Sequence, residues 1–128
     1  MSRIVLDASA VLALLNNEPG AGKLTPALLS TATCSTVNLA EVQTKLVSAG
    51  GNPEEAWEDT LSPIRDAAPF TAQQARIAGN LVAQTRALGL SLGDRACLAL
   101  ALALQAPVYT ADKSWKKLKL GVTVHVIR

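Results

Sequence analysis

Five short runs of β-forming residues alternate with longer segments of helical character, and that alternation leaves few folds open. The runs are Ile4-Val5-Leu6, residues 33–37, residues 67–70, residues 107–110 and residues 122–127. Strands joined by helices cannot pair through tight hairpins. They pair in parallel, and a parallel sheet needs helices over both of its faces. The expected class is therefore α/β, with a mostly parallel central sheet. Hydrophobic residues make up 49% of the chain but aromatic ones only 3%, so Leu, Ala and Val must build the core. Small side chains of that kind favour helices packed closely on a sheet.

The segments between the runs carry their own punctuation. Residues 8–15 are apolar almost all round, which predicts a buried helix that Glu18-Pro19-Gly20 stops. Residues 23–29 can form a second, short helix. Asn38 can cap a helix that runs through Leu46 and ends before Gly50-Gly51. Asn52-Pro53-Glu54-Glu55 is a helix start, with Trp57, Leu61 and Ile64 sharing one face. Thr71 caps a helix with Ala78, Leu81, Val82 and Thr85 on its buried side, ended by Gly89. Ser91 opens a helix that is apolar from Ala96 to Ala106 and therefore central. A short basic helix over 113–118 precedes the last strand, which alternates and is expected at an edge.

With 128 residues the chain suits one domain, residues 1–128, able to bury a core without a disulfide. Cys34 and Cys97 lie far apart in apolar stretches and form no CxxC pair, so they read as reduced core residues. The apolar run 96–104 is shorter than the roughly 18 residues of a bilayer span. The N-terminal apolar run is broken by Asp7, which argues against a secretory signal. A cytoplasmic protein without a membrane segment is expected. A net charge of +2 neither demands nor excludes a nucleic-acid partner.

The ten acidic residues sort by position. Glu54, Glu55, Glu58, Asp59 and Asp66 read as the solvated face of one helix, and Glu18 as a turn residue. The other four are different. Asp7 directly follows the first strand and Asp112 comes two residues after the fourth, so both should emerge at the carboxyl edge of the sheet. Glu41 and Asp94 fall in the first turns of helices leaving that edge. Each has a structural reading as well: Asn38…Glu41 and Ser91…Asp94 have capping-box spacing, and Asp112 suits a turn. Asp7 is harder to explain that way, because an ionised carboxylate between two apolar segments is costly without a partner. Four carboxylates at one edge repel and favour protonation unless a cation intervenes, and Mg²⁺ or Mn²⁺ suits an all-oxygen set. Zinc does not fit, since the lone histidine, His125, belongs to an alternating strand and reads as a surface residue.

These segments in this order, Ile4-Val5-Leu6-Asp7-Ala8-Ser9, Asn38-Leu39-Ala40-Glu41-Val42, Leu92-Gly93-Asp94-Arg95-Ala96 and Tyr109-Thr110-Ala111-Asp112-Lys113, resemble PIN-domain ribonucleases. They are most similar to the toxin subunits of VapBC-type toxin–antitoxin modules, over nearly the whole chain. The resemblance implies a three-layer α/β/α sandwich and Mg²⁺- or Mn²⁺-dependent endoribonuclease activity. It assigns Asp7, Glu41, Asp94 and Asp112 to the catalytic metal site, with Ser9 and Thr110 as supporting hydroxyls. It also implies a homodimer and a small antitoxin partner whose tail blocks the acidic cleft. Because Ser9 stands where some relatives carry another acid, a second stable metal is not expected. Arg95, Lys113, Lys116 and Lys117, with Lys119 beside them, are the candidates for RNA phosphates; a solvated basic helix is the plainer reading of the lysines. Trp115 reads as a packing residue.

Other readings fit less well. A haloacid-dehalogenase-like phosphatase needs a second acid where Ser9 stands, and a phospho-receiver domain needs paired acids after the first strand. A non-catalytic PIN-fold module binding RNA or a protein partner is the alternative from another class.

Overall fold

A computed structural model describes residues 2–128. Its elements run β1 (Ile4–Leu6), α1 (Ala8–Leu15), α2 (Pro26–Leu29), β2 (Ala32–Ser35), α3 (Thr36–Ser48), α4 (Pro53–Leu61), β3 (Asp66–Ala68), α5 (Ala72–Asn80), α6 (Val82–Thr85), α7 (Leu92–Leu104), β4 (Val108–Thr110) and β5 (Val124–Val126). Short 3-10 segments add Ala21–Lys23, Arg86–Leu88 and Lys113–Lys117.

The sheet order is β3-β2-β1-β4-β5, and every pairing is parallel. The expectation of a mostly parallel sheet is thus met in full. β1 lies at the centre because its three residues are all apolar and need cover on both faces. Successive side chains of a strand point to opposite faces. Ile4 and Leu6 accordingly join an apolar cluster with Val11 and Ala13 of α1 and Leu39 and Val42 of α3. Val5 joins the opposite cluster, with Cys97, Leu98, Leu100 and Ala101 of α7, Leu81 and Trp115. Helices on both faces make the three layers. Among the described residues no helix is long and apolar enough to cross a membrane.

Several boundaries differ from the sequence reading. The second strand stops at Ser35, whose hydroxyl accepts from the Val37 amide at 3.2 Å and caps α3. Asn38 is therefore not the cap; it lies inside the first turn, and its side chain serves another purpose described below. Asp66 lies in β3 opposite Thr33 of β2, not on α4. Pro63 explains the change: Ser62 is still helical, but Pro63 has no amide to continue the helical hydrogen bonds, so α4 ends there and the chain is free to join the sheet. Ile64 consequently lies beyond α4, and Trp57 is 42% exposed, so these two do not share a buried helical face with Leu61. The expected helix after Thr71 is broken at Leu81 into α5 and α6, which turns Val82 outward while Ala78, Leu81 and Thr85 stay buried. Gly89 ends that region in the left-handed conformation (φ 66°). β5 is an edge strand, and exposed His125 stacks on Tyr109 with ring centroids 4.6 Å apart.

Candidate active site

The chain visits β1, β2 and β3 in one direction across the sheet and β4 and β5 in the other. Where that direction reverses, between β1 and β4, the flanking connections diverge and leave a crevice beyond the carboxyl ends of the strands. A cleft of about 260 Å³ opens there. Asp7, Glu41, Asp94 and Asp112 all line it, together with Ser9. Four residues picked from separate segments of sequence are thus brought to one place.

Asp7 is its buried floor, 3% exposed. It caps α1, with Oδ1 accepting from the Ala10 amide at 2.8 Å. The Ser9 hydroxyl donates across both carboxylate oxygens, at 2.7 and 2.9 Å, and the Thr110 hydroxyl donates to Oδ2 at 2.6 Å. Both hydroxyls also accept, Ser9 from the Ala111 amide at 2.9 Å and Thr110 from the Asp112 amide at 3.1 Å. The turn after β1 is thereby stitched to the turn after β4. Burial pushes the Asp7 carboxyl up from 3.8 to about 6; the bonds from Thr110, Ala10 and Ser9 pull it down, and the charge of Asp94 pushes it up.

This network makes a prediction for Thr110→Val, which keeps a similar volume and removes both bonds. The variant is expected to lose roughly 1.5–3 kcal/mol of stability at neutral pH, because a buried carboxylate is left short of a donor. The midpoint of urea unfolding measures it. An unchanged midpoint would show that the hydroxyl contributes nothing.

The other three acids each hold one oxygen in a local bond and leave one without a donor among the described residues. Glu41 Oε1 accepts from Asn38 Nδ2 at 2.8 Å. Asp94 Oδ2 accepts from the Ser91 amide at 2.9 Å while the Asp94 amide donates to the Ser91 hydroxyl at 3.1 Å, a complete capping box. Asp112 Oδ1 accepts from the amide and hydroxyl of Ser114, at 2.9 and 2.8 Å. The capping reading of Asp94 and the turn reading of Asp112 therefore hold, and both residues line the cleft as well. The capping-box reading of Glu41 does not hold, since Asn38 is not at the N-cap.

This donor set suits a hard divalent cation. It offers carboxylate oxygens only, with one free on each of Glu41, Asp94 and Asp112 above the fixed Asp7. Among the described residues, however, no three metal-ligating side chains close into a cage. The acids line the cleft without closing on one point.

The basic residues fall elsewhere than expected. None of Arg95, Lys113, Lys116 and Lys117 lines the cleft, whereas Lys45 and Arg128 do. Arg95 Nη1 donates to the Ala78 carbonyl at 2.9 Å, tying α7 to the end of α5. Glu18, read from sequence as a solvated turn residue, also lines the cleft and pairs with Arg128 at 3.3 Å. Lys45 had a signal in the sequence, because it lies one helical turn after Glu41 and so shares its face. Glu18 and Arg128 had none, being 110 positions apart. Cys34 and Cys97 are free and buried. Burial, helped by the negative charge of Asp7, pushes both thiols far above their usual range, so neither supplies a thiolate. Trp115 is fully buried, in keeping with a packing role.

A parallel sheet covered on both faces, with carboxylates gathered at its switch point, defines a class of α/β domains with an acidic cleft. Within that class the family is shown by sequence: the PIN domain model matches residues 4–120, and the chain belongs to the PIN domain family. No curated protein matches it in sequence. Solved structures share its fold. A chain of DNA-bound VapBC from Salmonella typhimurium is similar with a TM-score of 0.78 at 17% identity, covering 100% of both chains. A chain of VapBC2 from Rickettsia felis, bound to a DNA fragment of its promoter, gives 0.74 at 20% identity, covering 98% of both. VapC20 from Mycobacterium tuberculosis, described as a toxin cleaving the sarcin-ricin loop, gives 0.70 at 20% identity over 94% of this chain and 98% of its own.

Proposed function

We propose that this chain is a divalent-metal-dependent endoribonuclease and the toxin subunit of a VapBC-type pair, one PIN domain spanning residues 1–128. The observation that carries the reading is the placement of Asp7, Glu41, Asp94 and Asp112 around one cleft at the switch point of the sheet. The fold shared with VapBC chains and with a toxin described as cleaving the sarcin-ricin loop supports the choice of substrate and partner.

Glu41, Asp94 and Asp112 would hold Mg²⁺ or Mn²⁺ through their free oxygens, with Asp7 beneath them. A bound divalent cation supplies polarisation of the phosphodiester and a more acidic water. The protein's own part is positioning. Ser9 and Thr110 fix both oxygens of Asp7, and the Ser91 and Ser114 bonds fix the planes of Asp94 and Asp112. Groups held in this way need no reorganisation when charge develops on the phosphate. Lys45 and Arg128 border the acids and can meet the phosphates on either side, with Lys113, Lys116 and Lys117 extending the basic surface outside the cleft. A net negative cleft on a chain of charge +2 also suits a partner that inserts a basic side chain, the expected antitoxin contact. A homodimer completes the assembly we expect.

Purified protein should cut single-stranded or looped RNA with Mn²⁺ or Mg²⁺, and EDTA should stop it. KM should rise with salt as phosphate contacts are screened. Full-rate cleavage in EDTA would overturn the metal mechanism. The local roles of Asp94 as a capping-box residue and Asp112 as a turn residue favour one other reading, a PIN-fold module that binds RNA or protein without cutting. RNA binding without cleavage under any divalent metal would select it.

A further inference from the structure

Gly93 is the second residue of α7, a position where alanine would serve a helix better than glycine. Its backbone does not need glycine, since it is not among the residues with positive φ. The reason for glycine lies across the cleft. A Cβ at residue 93 would come within 2.5 Å of both Oε1 and Oε2 of Glu41 and 2.6 Å of its Cδ, and these are its three nearest atoms. The carboxylate of Glu41 thus lies directly on the bare face of Gly93. One amide locks the pair: Asn38 Nδ2, on a side chain from a residue only 1% exposed, donates to Glu41 Oε1 at 2.8 Å and to the Gly93 carbonyl at 3.0 Å.

We propose that Gly93 is a positioning residue. By omitting its side chain it lets the Glu41 carboxylate settle on the first turn of α7, beside Asp94, where Asn38 clamps it. Any side chain at 93 drives that carboxylate out of its place, and Glu41 can yield because it sits at the end of a flexible chain. The substitution therefore costs the site and spares the fold. The role rests on the nuclease reading for its activity readout, while the steric coupling between 41 and 93 does not.

The test is a cycle of Gly93→Ala, Glu41→Asp and the double variant. Mn²⁺ binding is measured by calorimetry, cleavage at saturating Mn²⁺, and melting without metal. Glu41→Asp withdraws the carboxylate from residue 93. Gly93→Ala is expected to fold, to weaken Mn²⁺ binding about tenfold or more, and to lower kcat roughly 100-fold, the usual effect of a misplaced group. KM for RNA should stay within about threefold. In the Glu41→Asp background, Gly93→Ala should cost no more than about threefold in either readout, and it should raise the melting temperature further than it does in the wild type. Wild-type-like Mn²⁺ binding and kcat in Gly93→Ala would overturn the proposal, and so would equal losses in both backgrounds. If wild type neither binds Mn²⁺ nor cleaves RNA, the nuclease reading falls, and the melting cycle alone decides: equal shifts in both backgrounds overturn the coupling. If Gly93→Ala does not fold, the double variant must; a double variant that also fails to fold overturns it.

Discussion

Asp7→Asn should lower the rate of RNA cleavage by roughly 1,000-fold, the upper range for losing one preorganised charged group, and leave the metal-free protein at least as stable as wild type at neutral pH. Asn keeps an acceptor for the Ala10 amide, so the cap on α1 survives. What it removes is a buried charge. The unfolded chain ionises Asp7 near 3.8, whereas the folded chain does so only at about 6. Folded protein therefore holds this proton more tightly, and stability is lost as pH rises through that window. The loss approaches roughly 3 kcal/mol above pH 6 for a shift of this size. Comparing metal-free wild type and variant at pH 4 and pH 7 isolates the effect: nearly equal stability at pH 4, and the variant ahead at pH 7. Mg²⁺ should then raise the melting temperature of the wild type more than that of the variant, since a ligand of the native state stabilises it. A variant that unfolds would show instead that Asp7 is a structural anchor whose charge the Ser9 and Thr110 bonds require.

Glu41→Gln is expected to keep the fold and lose cleavage by about 100-fold or more at saturating metal. Gln can still accept from Asn38 through its carbonyl oxygen, so the clamp between α3 and α7 persists. It cannot supply negative charge at the oxygen Glu41 leaves free. Thermal melting and single-turnover cleavage separate the two effects. Cleavage within a few-fold of wild type would reduce Glu41 to a partner of Asn38 and remove it from the site.

The parts of the molecule that were legible in sequence are those fixed by local rules. Asp7 stood out because a charge between two apolar segments needs a reason. Ser91…Asp94 was legible because a capping box is a matter of spacing alone. The same spacing misled at Asn38…Glu41. Thr33, Cys34, Ser35, Thr36 and Val37 all suit a strand, so nothing in their composition marks Ser35 as the point where the chain turns helical. Asn38 then looked like the free cap, while its true partners, Glu41 and the Gly93 carbonyl, depend on how α3 meets α7. Asp66 and Val82 were misplaced for a related reason: a helical period was continued past the breaks at Pro63 and Leu81. Glu18 and Arg128 were the least legible members of the cleft. Arg128 reaches Glu18 and the Ala111 carbonyl only because β5 returns to the edge beside β4.

The central place of β1 has a consequence for how the cleft comes into being. Its neighbour on one side, β2, is made soon after it, but its neighbour on the other side is β4, and the bond from Thr110 to Asp7 spans 103 positions. Contacts of such long range are closed late, after their loop entropy has been met. A chain emerging from the ribosome and made only as far as α7 has no β4 to flank β1, no Asp112, and no Thr110 hydroxyl to join that of Ser9 on the second oxygen of Asp7. Such a nascent chain carries most of the acids without the arrangement that makes them a site. Synthesis of the protein and assembly of its cleft are separate events, with the second waiting on the final strands.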